Sequence, residues 1–421
     1  MLDINFIRQN PDKVKEGIQK KNANPKLVDK FLRLDNDWRA KTAALDQLKA
    51  EQNRLNKEMG SHQSKDTISR AQILKKRIKE VSDAREDLKS RRDEILQSLP
   101  NLPFDDVPVG NLSAAKTVKE WGEKPKFFAK GGNFKPRDYL SLAEPLGLID
   151  VKKASQVAGS RFSYLLGDAA RLEFALVKLA FDVLIENGFV PVVPPVMIRP
   201  KIFEGMGRLA IDQKDERYYL PKDDLYLIGS AEHTLGPLHM NESLGDNKLP
   251  IRYAGFSTCF RREAGSYGKD TKGILRVHQF DKVEMFSFSR PKDSEKEHQF
   301  LLSMQEKMIQ LLHLPYRVVL IPTGDMGFTD AKQYDIETWL PGSQEYRETH
   351  SCSNTTDFQA RGINVKYANG NNGNEYVHLL NATAFAIGRI IIAIIENYQT
   401  KKGTIKVPDA LKNYVGKSEI G

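Results

Sequence analysis

FRREAGSYGKDTKGILRVHQFDKVE, residues 260–284, is the stretch on which the architecture turns. Two strand-like runs flank a Gly-rich polar segment, 265–273. The pattern reads as strand, mobile loop, strand: an antiparallel hairpin with charged groups at both ends. Arg261 and Arg276 carry guanidinium forks that match phosphate oxygens bidentately. Glu263 and Glu284 carry carboxylates that suit amines. A site offering both signs fits a substrate pair such as ATP and a zwitterion.

Outward from this hairpin, short strand-like runs alternate with loops at 189–197, 218–220, 225–228, 252–256, 282–288, 316–321, 335–339, 346–351 and 376–379. Amphipathic or apolar helices are expected at 171–187, 292–311 and 382–398. With so few helical crossovers, this is an antiparallel sheet flanked by helices, an α+β fold rather than a doubly wound one. The chain has neither a Walker A nor a G-x-G-x-x-G signature, so any nucleotide is held without those loops.

Residues 27–99 form a different kind of segment. Leu27, Phe31, Leu34, Trp38, Leu45, Leu48, Leu55 and Met59 keep an alternating spacing of four and three, broken at Lys41 and Gln52. Ala71, Leu74, Ile78, Val81, Leu88, Ile95 and Leu99 resume it, broken at Arg85 and Arg92. A 3.5-residue period with Gly60, Ser61 and Ser64 in the middle predicts a two-helix antiparallel coiled-coil arm. Residues 100–136, punctuated by Pro, Gly and Asn, read as a linker. The expected division is an N-terminal domain at 1–105 and a larger domain at 106–421.

The 421 residues carry a net charge of +9, and 28% of them are charged. Residues 26–98 hold 18 basic and 13 acidic side chains, so more than half the excess lies in about a sixth of the chain. That asymmetry suits a polyanion such as nucleic acid. The longest apolar run, 390–395, cannot span a bilayer. The N-terminus has no apolar leader, so a cytoplasmic protein without membrane association is expected. Cys259 and Cys352 are the only cysteines and read as reduced structural thiols.

The hairpin closely resembles motif 2 of class II aminoacyl-tRNA synthetases, in the form found in seryl-tRNA synthetases. Five further blocks resemble the same family. Gly188-Phe189 with Pro194-Pro195 looks like motif 1, and Gly159 to Phe162 leading to Glu173 like the entry to the catalytic domain. Ser230-Ala231-Glu232 is similar to the serine-binding segment. Tyr346 to Glu348 with Ser351 to Asn354 is similar to the segment that holds ATP and its metal. Asn381 to Ala384, Gly388-Arg389 and Ile395 to Gln399 look like motif 3. The resemblance runs essentially end to end, arm included.

It implies a homodimer that activates L-serine with ATP and transfers it to tRNA(Ser), with tRNA(Sec) as a further family substrate and Mg²⁺ as cofactor. It implies that Arg261 bridges the ATP α-phosphate and the serine carboxylate, with Arg389 as its catalytic partner. Glu263 is expected beside adenine, Val277 and Phe280 around it, and Arg276 and Arg389 on the outer phosphates. Arg262, Glu348, Thr349, His350 and Ser351 join the ATP set, and Glu348 and Ser351 are the implied Mg²⁺ ligands. Ser230, Ala231, Glu232, Glu284, Asn381 and Thr383 are implied to line the serine pocket. Many family members have Thr where Ser230 stands; Ser keeps the hydroxyl and loses a methyl.

After residue 399 only 22 residues follow, too few for the C-terminal anticodon-binding domain of threonyl and prolyl relatives. The resemblance therefore implies that the arm selects the tRNA. A basic rod suits RNA helices, which present phosphates and sugar hydroxyls rather than readable base edges. Two other readings exist: a catalytically inactive paralogue acting as an RNA- or protein-binding dimer, and a ligase that loads an amino acid onto a carrier protein. Intact Arg261, Glu263, Glu284, Glu348 and Arg389 argue against the first, and the basic arm against the second.

Overall fold

Ser64 accepts a hydrogen bond from the backbone of Thr67, and the Thr67 hydroxyl accepts one from the backbone of Ser64. This reciprocal cap starts a helix, and the arm's two helices are α1 (Lys26–Ser61) and α2 (Lys65–Gln97). The computed structural model describes every residue except 62–63, 128–133, 210–213, 265–271 and 371–372. Two compact units result, Met1–Leu102 and Pro103–Gly421.

In the first unit the heptad residues meet as expected. Leu48, Leu55 and Leu74 are buried together, flanked by Met59, Ala71, Ile78 and Val81. Arg92, which interrupts the heptad, is explained by its neighbours. Its guanidinium lies 4.4 Å over the Trp38 ring and 3.5 Å from the buried carboxylate of Asp35. Arg8 also grips Asp35 through two hydrogen bonds of 2.8 Å. A buried acid is tolerated here because two guanidiniums compensate it.

The second unit is built on an eight-stranded sheet. Its strands are β1 (Lys116–Trp121), β2 (Val190–Val192), β3 (Ile251–Phe260), β4 (Gln279–Ser289), β5 (Tyr316–Leu320), β6 (Lys332–Leu340), β7 (Glu345–Asn354) and β8 (His378–Ala386). They lie in the order β1-β5-β6-β7-β8-β4-β3-β2, antiparallel throughout except the parallel β2–β3 pair. Helices α3 (Asp168–Glu186), α4 (Ser294–Leu311) and α5 (Ile387–Asn397) join the sheet in one large apolar core.

Three expectations need correction. The stretch read as a linker contains β1, which pairs with β5 at the sheet edge. Its residues Lys116–Trp121 are mostly exposed, so no apolar alternation marked them. The run 189–197 is broken into Val190–Val192 and Met197–Ile198, with Pro194 and Pro195 between. Residues 382–386, expected to begin the last helix, instead end β8; α5 starts only at Ile387. A short apolar run does not distinguish a buried strand from a buried helix, and β8 is flanked on both sides, by β4 and β7.

The cysteines are buried, unpaired thiols, as expected. Among the described residues no helix is long and apolar enough to cross a membrane. The tail folds back on itself: Ile405–Lys406 pairs with Glu419–Ile420, and Val407, Leu411 and Val415 join the core.

Candidate active site

Strand alternation decides which side chains face the cleft. On β4, Val283 and Met285 enter the apolar core on the helix side. The side chains of Phe280, Lys282 and Glu284, two residues apart, turn to the other face and line an open cleft. Opposite Glu284 on β8 sits Thr383, and Asn381 follows on the same face. β7 adds Ser351 and Ser353.

The cleft has two connected halves. One, about 580 Å³, is walled by Arg276, Val277, Phe280, Glu348, Thr349 and Arg389. The other, about 1070 Å³, is walled by Arg208, Ser230, Glu232, Glu284, Ser353 and Asn381. Arg261, Glu263, Lys282 and Ser351 line both. The second half is anchored to the hairpin where the amide of Phe260 donates to the carbonyl of Ile228 at 2.8 Å.

Arg261 is oriented by two contacts. Its Nε donates to the carbonyl of Gly229 at 3.1 Å, and its guanidinium lies 5.3 Å from the centre of the Phe280 ring. Gly229 leaves little room: a Cβ there would meet Arg217 Nη1 at 2.6 Å and Arg261 Nε at 3.4 Å. At the other root of the loop, Gly273 has φ +78°, and a Cβ would overlap the Tyr139 hydroxyl at 1.8 Å. That hydroxyl accepts from the amide of Ile274 at 2.8 Å. The expected loop 265–273 lies, through residue 271, outside the described residues.

The smaller half holds paired but accessible charges. Arg389 Nη1 lies 3.2 Å from a Glu348 carboxylate oxygen, and Glu348 is 47% exposed toward the cleft. Arg276 Nη1 lies 3.5 Å from Glu263, with Arg276 41% exposed. Desolvation would raise the Glu348 carboxyl, but Arg389 outweighs it and holds the group below its ordinary range.

In the larger half the charges are buried. Glu232 is ion-paired to Arg208. Burial pushes Glu232 upward, yet Arg208, His233 and Lys282 overcome it and keep the carboxylate ionised. His233 is itself pushed down to about 3 by burial, so it is neutral. The amide of Gly229 donates to its Nδ1 at 3.1 Å, which leaves the proton on Nε2, 3.4 Å from Glu232. Lys282 Nζ stands 2.6 Å from Glu284. Burial, and Glu232 nearby, push the Glu284 carboxyl up against the pull of Lys282.

Most residues expected in the site therefore line one cleft: Arg261, Glu263, Arg276, Val277, Phe280, Glu348, Thr349, Ser351 and Arg389 in the smaller half, and Ser230, Glu232, Glu284 and Asn381 in the larger. Thr383 lines the smaller half. Three lie outside these walls. Ala231 is wholly buried in apolar packing. His350 is buried, with Nδ1 2.8 Å from the Thr349 hydroxyl. Arg262 turns outward, donating to the carbonyl of Arg217 and lying 4.8 Å over Tyr218. Sequence reasoning missed Lys282 and Arg208. Lys282 had a usable signal, its two-residue spacing between Phe280 and Glu284; Arg208 had none.

The chain matches two family models: the seryl-tRNA synthetase N-terminal domain over residues 1–103, and the tRNA synthetase class II core domain (G, H, P, S and T) over 216–398. It is 41% identical to the serine–tRNA ligase of Thermobifida fusca, covering all of this chain and 99% of the relative. It is similar to the crystal structure of seryl-tRNA synthetase from Pyrococcus horikoshii complexed with ATP, with TM-score 0.91 and 41% identity over 100% and 99% of the two chains. The cytoplasmic serine–tRNA ligase from Naegleria fowleri in complex with AMP matches with TM-score 0.87 and 34% identity over 100% and 98%.

Proposed function

The chain belongs to the seryl-tRNA synthetase family, and from that premise we infer how its own residues divide the serine–tRNA ligase reaction. The enzyme joins serine to ATP, giving seryl-adenylate and pyrophosphate, and then passes the seryl group to the 3′-terminal ribose of its tRNA. The observation that carries the residue assignment is Arg261, which lines both halves of one continuous cleft. In this reading ATP occupies the smaller half and serine the larger, and the carboxylate meets the α-phosphate at Arg261.

No base or covalent enzyme intermediate is needed. The serine carboxylate is already ionised and attacks phosphorus directly, so the protein aligns the groups and stabilises the charge that builds. Val277 and Phe280 form the adenine slot, with Glu263 beside it. Arg276 and Arg389 hold the outer phosphates. Glu232 and Glu284, with Asn381 and Ser230, take the ammonium and hydroxyl of serine. A buried site built around that hydroxyl rejects alanine, which would leave its polar groups unpaired.

Glu348 and Ser351 suit Mg²⁺: one is an ionised carboxylate facing the cleft, the other a hydroxyl in the same wall, and both are the hard oxygen donors that ion prefers. Bound there, Mg²⁺ would neutralise phosphate charge. We assign Met1–Leu102 to tRNA(Ser) binding on the basis of its basic arm. Phe174, Ile185, Val190 and Val193 are exposed apolar side chains of the kind a homodimer contact would cover. A cytoplasmic enzyme that also charges tRNA(Sec), where that tRNA exists, completes the proposal. The inactive-paralogue and carrier-ligase readings have no feature here to favour them.

ATP–pyrophosphate exchange across a panel of amino acids tests this reading. Serine should support the fastest exchange, and alanine little. Exchange with no amino acid would remove the enzymatic reading, and a better substrate than serine would remove the pocket assignment.

A further inference from the structure

The end of α5 carries two buried polar side chains that the ligase reading leaves without a task, Glu396 and, just past the helix, Gln399. Both reach the backbone of residues 137–139. The Arg137 amide donates to Gln399 Oε1 at 2.9 Å, and Gln399 Nε2 donates to the Arg137 carbonyl at 3.0 Å. Glu396 Oε1 accepts from the amide of Tyr139 at 3.1 Å, and its Oε2 from the amide of Gly342, between β6 and β7, at 2.7 Å. Residues 137–139 are thereby tied both to the helix and to the sheet.

Tyr139 passes that anchorage on to the hairpin. Its ring packs against the large apolar core. Its hydroxyl accepts from the amide of Ile274 at 2.8 Å and donates to the carbonyl of Lys272 at 3.3 Å. Burial pushes the phenol up to about 12, so it keeps the proton it donates. Gly273 lies between those two partners, and the absence of a Cβ there is what lets the backbone close around the hydroxyl. From Ile274 the chain runs through Leu275, Arg276 and Val277 along the wall of the smaller half of the cleft. This run precedes β4, so strand pairing does not hold it. It is fixed at its ends instead. At the far end the His278 amide donates to the Arg161 carbonyl, and the His278 carbonyl accepts from the Arg261 amide, both at 3.0 Å. At the near end the Tyr139 hydroxyl holds Ile274, two residues before Arg276.

We propose that Tyr139 is a positioning residue for ATP: its hydroxyl, tied to α5 through Glu396 and Gln399, sets the backbone from which Arg276 reaches the outer phosphates. This rests on the assignment of Arg276 to those phosphates and adds the group that holds it there. The Arg276 side chain is 41% exposed, so packing does little to place it, and its position is set by the backbone beneath it. A cation whose backbone is already fixed loses less freedom when the ligand arrives and meets it in the right place. Tyr139 touches no substrate in this arrangement and acts only through Arg276.

Tyr139→Phe keeps the ring and removes the hydroxyl. It tests the proposal in the full-length enzyme beside Arg276→Ala and the double variant. In serine-dependent pyrophosphate exchange, Tyr139→Phe should raise the ATP KM roughly fivefold, the worth of an ordinary hydrogen bond, and leave kcat and the serine KM as in the parent. The two changes should not add: once Arg276 is alanine, Tyr139→Phe should do nothing further to the ATP KM, because the hydroxyl acts through that side chain. Gln399→Leu, which loosens residues 137–139 from the other side, should move the ATP KM in the same direction, and again only while Arg276 is present. An unchanged ATP KM in Tyr139→Phe overturns the proposal. A rise that persists in the Arg276→Ala background overturns it too, since Tyr139 would then be supporting the fold in general, as does a matching rise in the serine KM. If Arg276→Ala by itself leaves the ATP KM unaltered, the phosphate assignment fails and the proposal falls with it. If the parent shows no exchange with serine, it is the ligase reading that fails.

Discussion

The two halves of the cleft handle charge in opposite ways. In the half assigned to ATP, Arg276 and Arg389 pair with Glu263 and Glu348 at 3.5 and 3.2 Å, and one member of each pair, Arg276 and Glu348, is well exposed. Screened pairs of this kind contribute little to stability and can exchange partners at small cost. In the half assigned to serine, Glu232 and Glu284 are 5% and 1% exposed, each against a cation. Buried pairs resist rearrangement, because separating them strands a desolvated charge. The difference fits the ligands. A triphosphate brings its own charge and can be met by arginines that swing onto it, whereas a ligand as small as serine is recognised only by groups already fixed in place.

Replacing Glu232 should separate the halves most strongly. Glu232→Gln leaves Arg208 buried without a counter-charge, which costs about 3–5 kcal/mol of stability. Urea unfolding should show that loss, and the serine KM in pyrophosphate exchange should rise roughly a hundredfold with the ATP KM little changed. Equal effects on both substrates would mean that the two halves are not independent. Arg276→Ala should act in the opposite half and more gently: the ATP KM rises roughly tenfold, the loss of one charge-assisted contact, while stability and the serine KM hold. An unaltered ATP KM would remove Arg276 from the phosphates.

The effect smallest at neutral pH is a pH dependence confined to the buried half. His233 has its ordinary value of 6.5 in the unfolded chain and is held near 3 in the fold. The unfolded state therefore binds the extra proton first, and stability falls as pH drops from about 6.5 toward about 3. One such group gives at most about 1.4 kcal/mol per pH unit. His233→Asn should flatten the acid limb of unfolding free energy against pH by up to that slope. A limb as steep as the parent's would show that His233 is not the group being protonated.

The arm and the cleft also differ in how far they could be read in advance. The arm follows from a 3.5-residue period, a local property, and its helices span nearly the expected residues. Even there Arg92 was legible only as a fault in the pattern, because the residues that justify it, Asp35 and Trp38, lie more than fifty positions away. In the cleft, side chains carried by the resemblance, such as Arg261, Glu284 and Arg389, come together as expected. Strand β1 was hidden because its side chains are mostly exposed, and residues 382–386 were taken for helix because a buried strand shows no alternation. Arg262, His350 and Ala231 adjoin site residues in the chain but point elsewhere, since neighbours on a strand or turn face different sides.

The amino-acid order alone settles the family, the arm and the hairpin, and it supplies the residue types proposed for phosphate and serine, because periodicity and motif are properties of contiguous chain. Which charges compensate one another is decided only when β4, β7 and β8 lie side by side and Arg208 meets Glu232. Ion pairing and burial depend on distances between segments far apart in sequence. The physical character of each half of the cleft, accessible or buried, is set at that level.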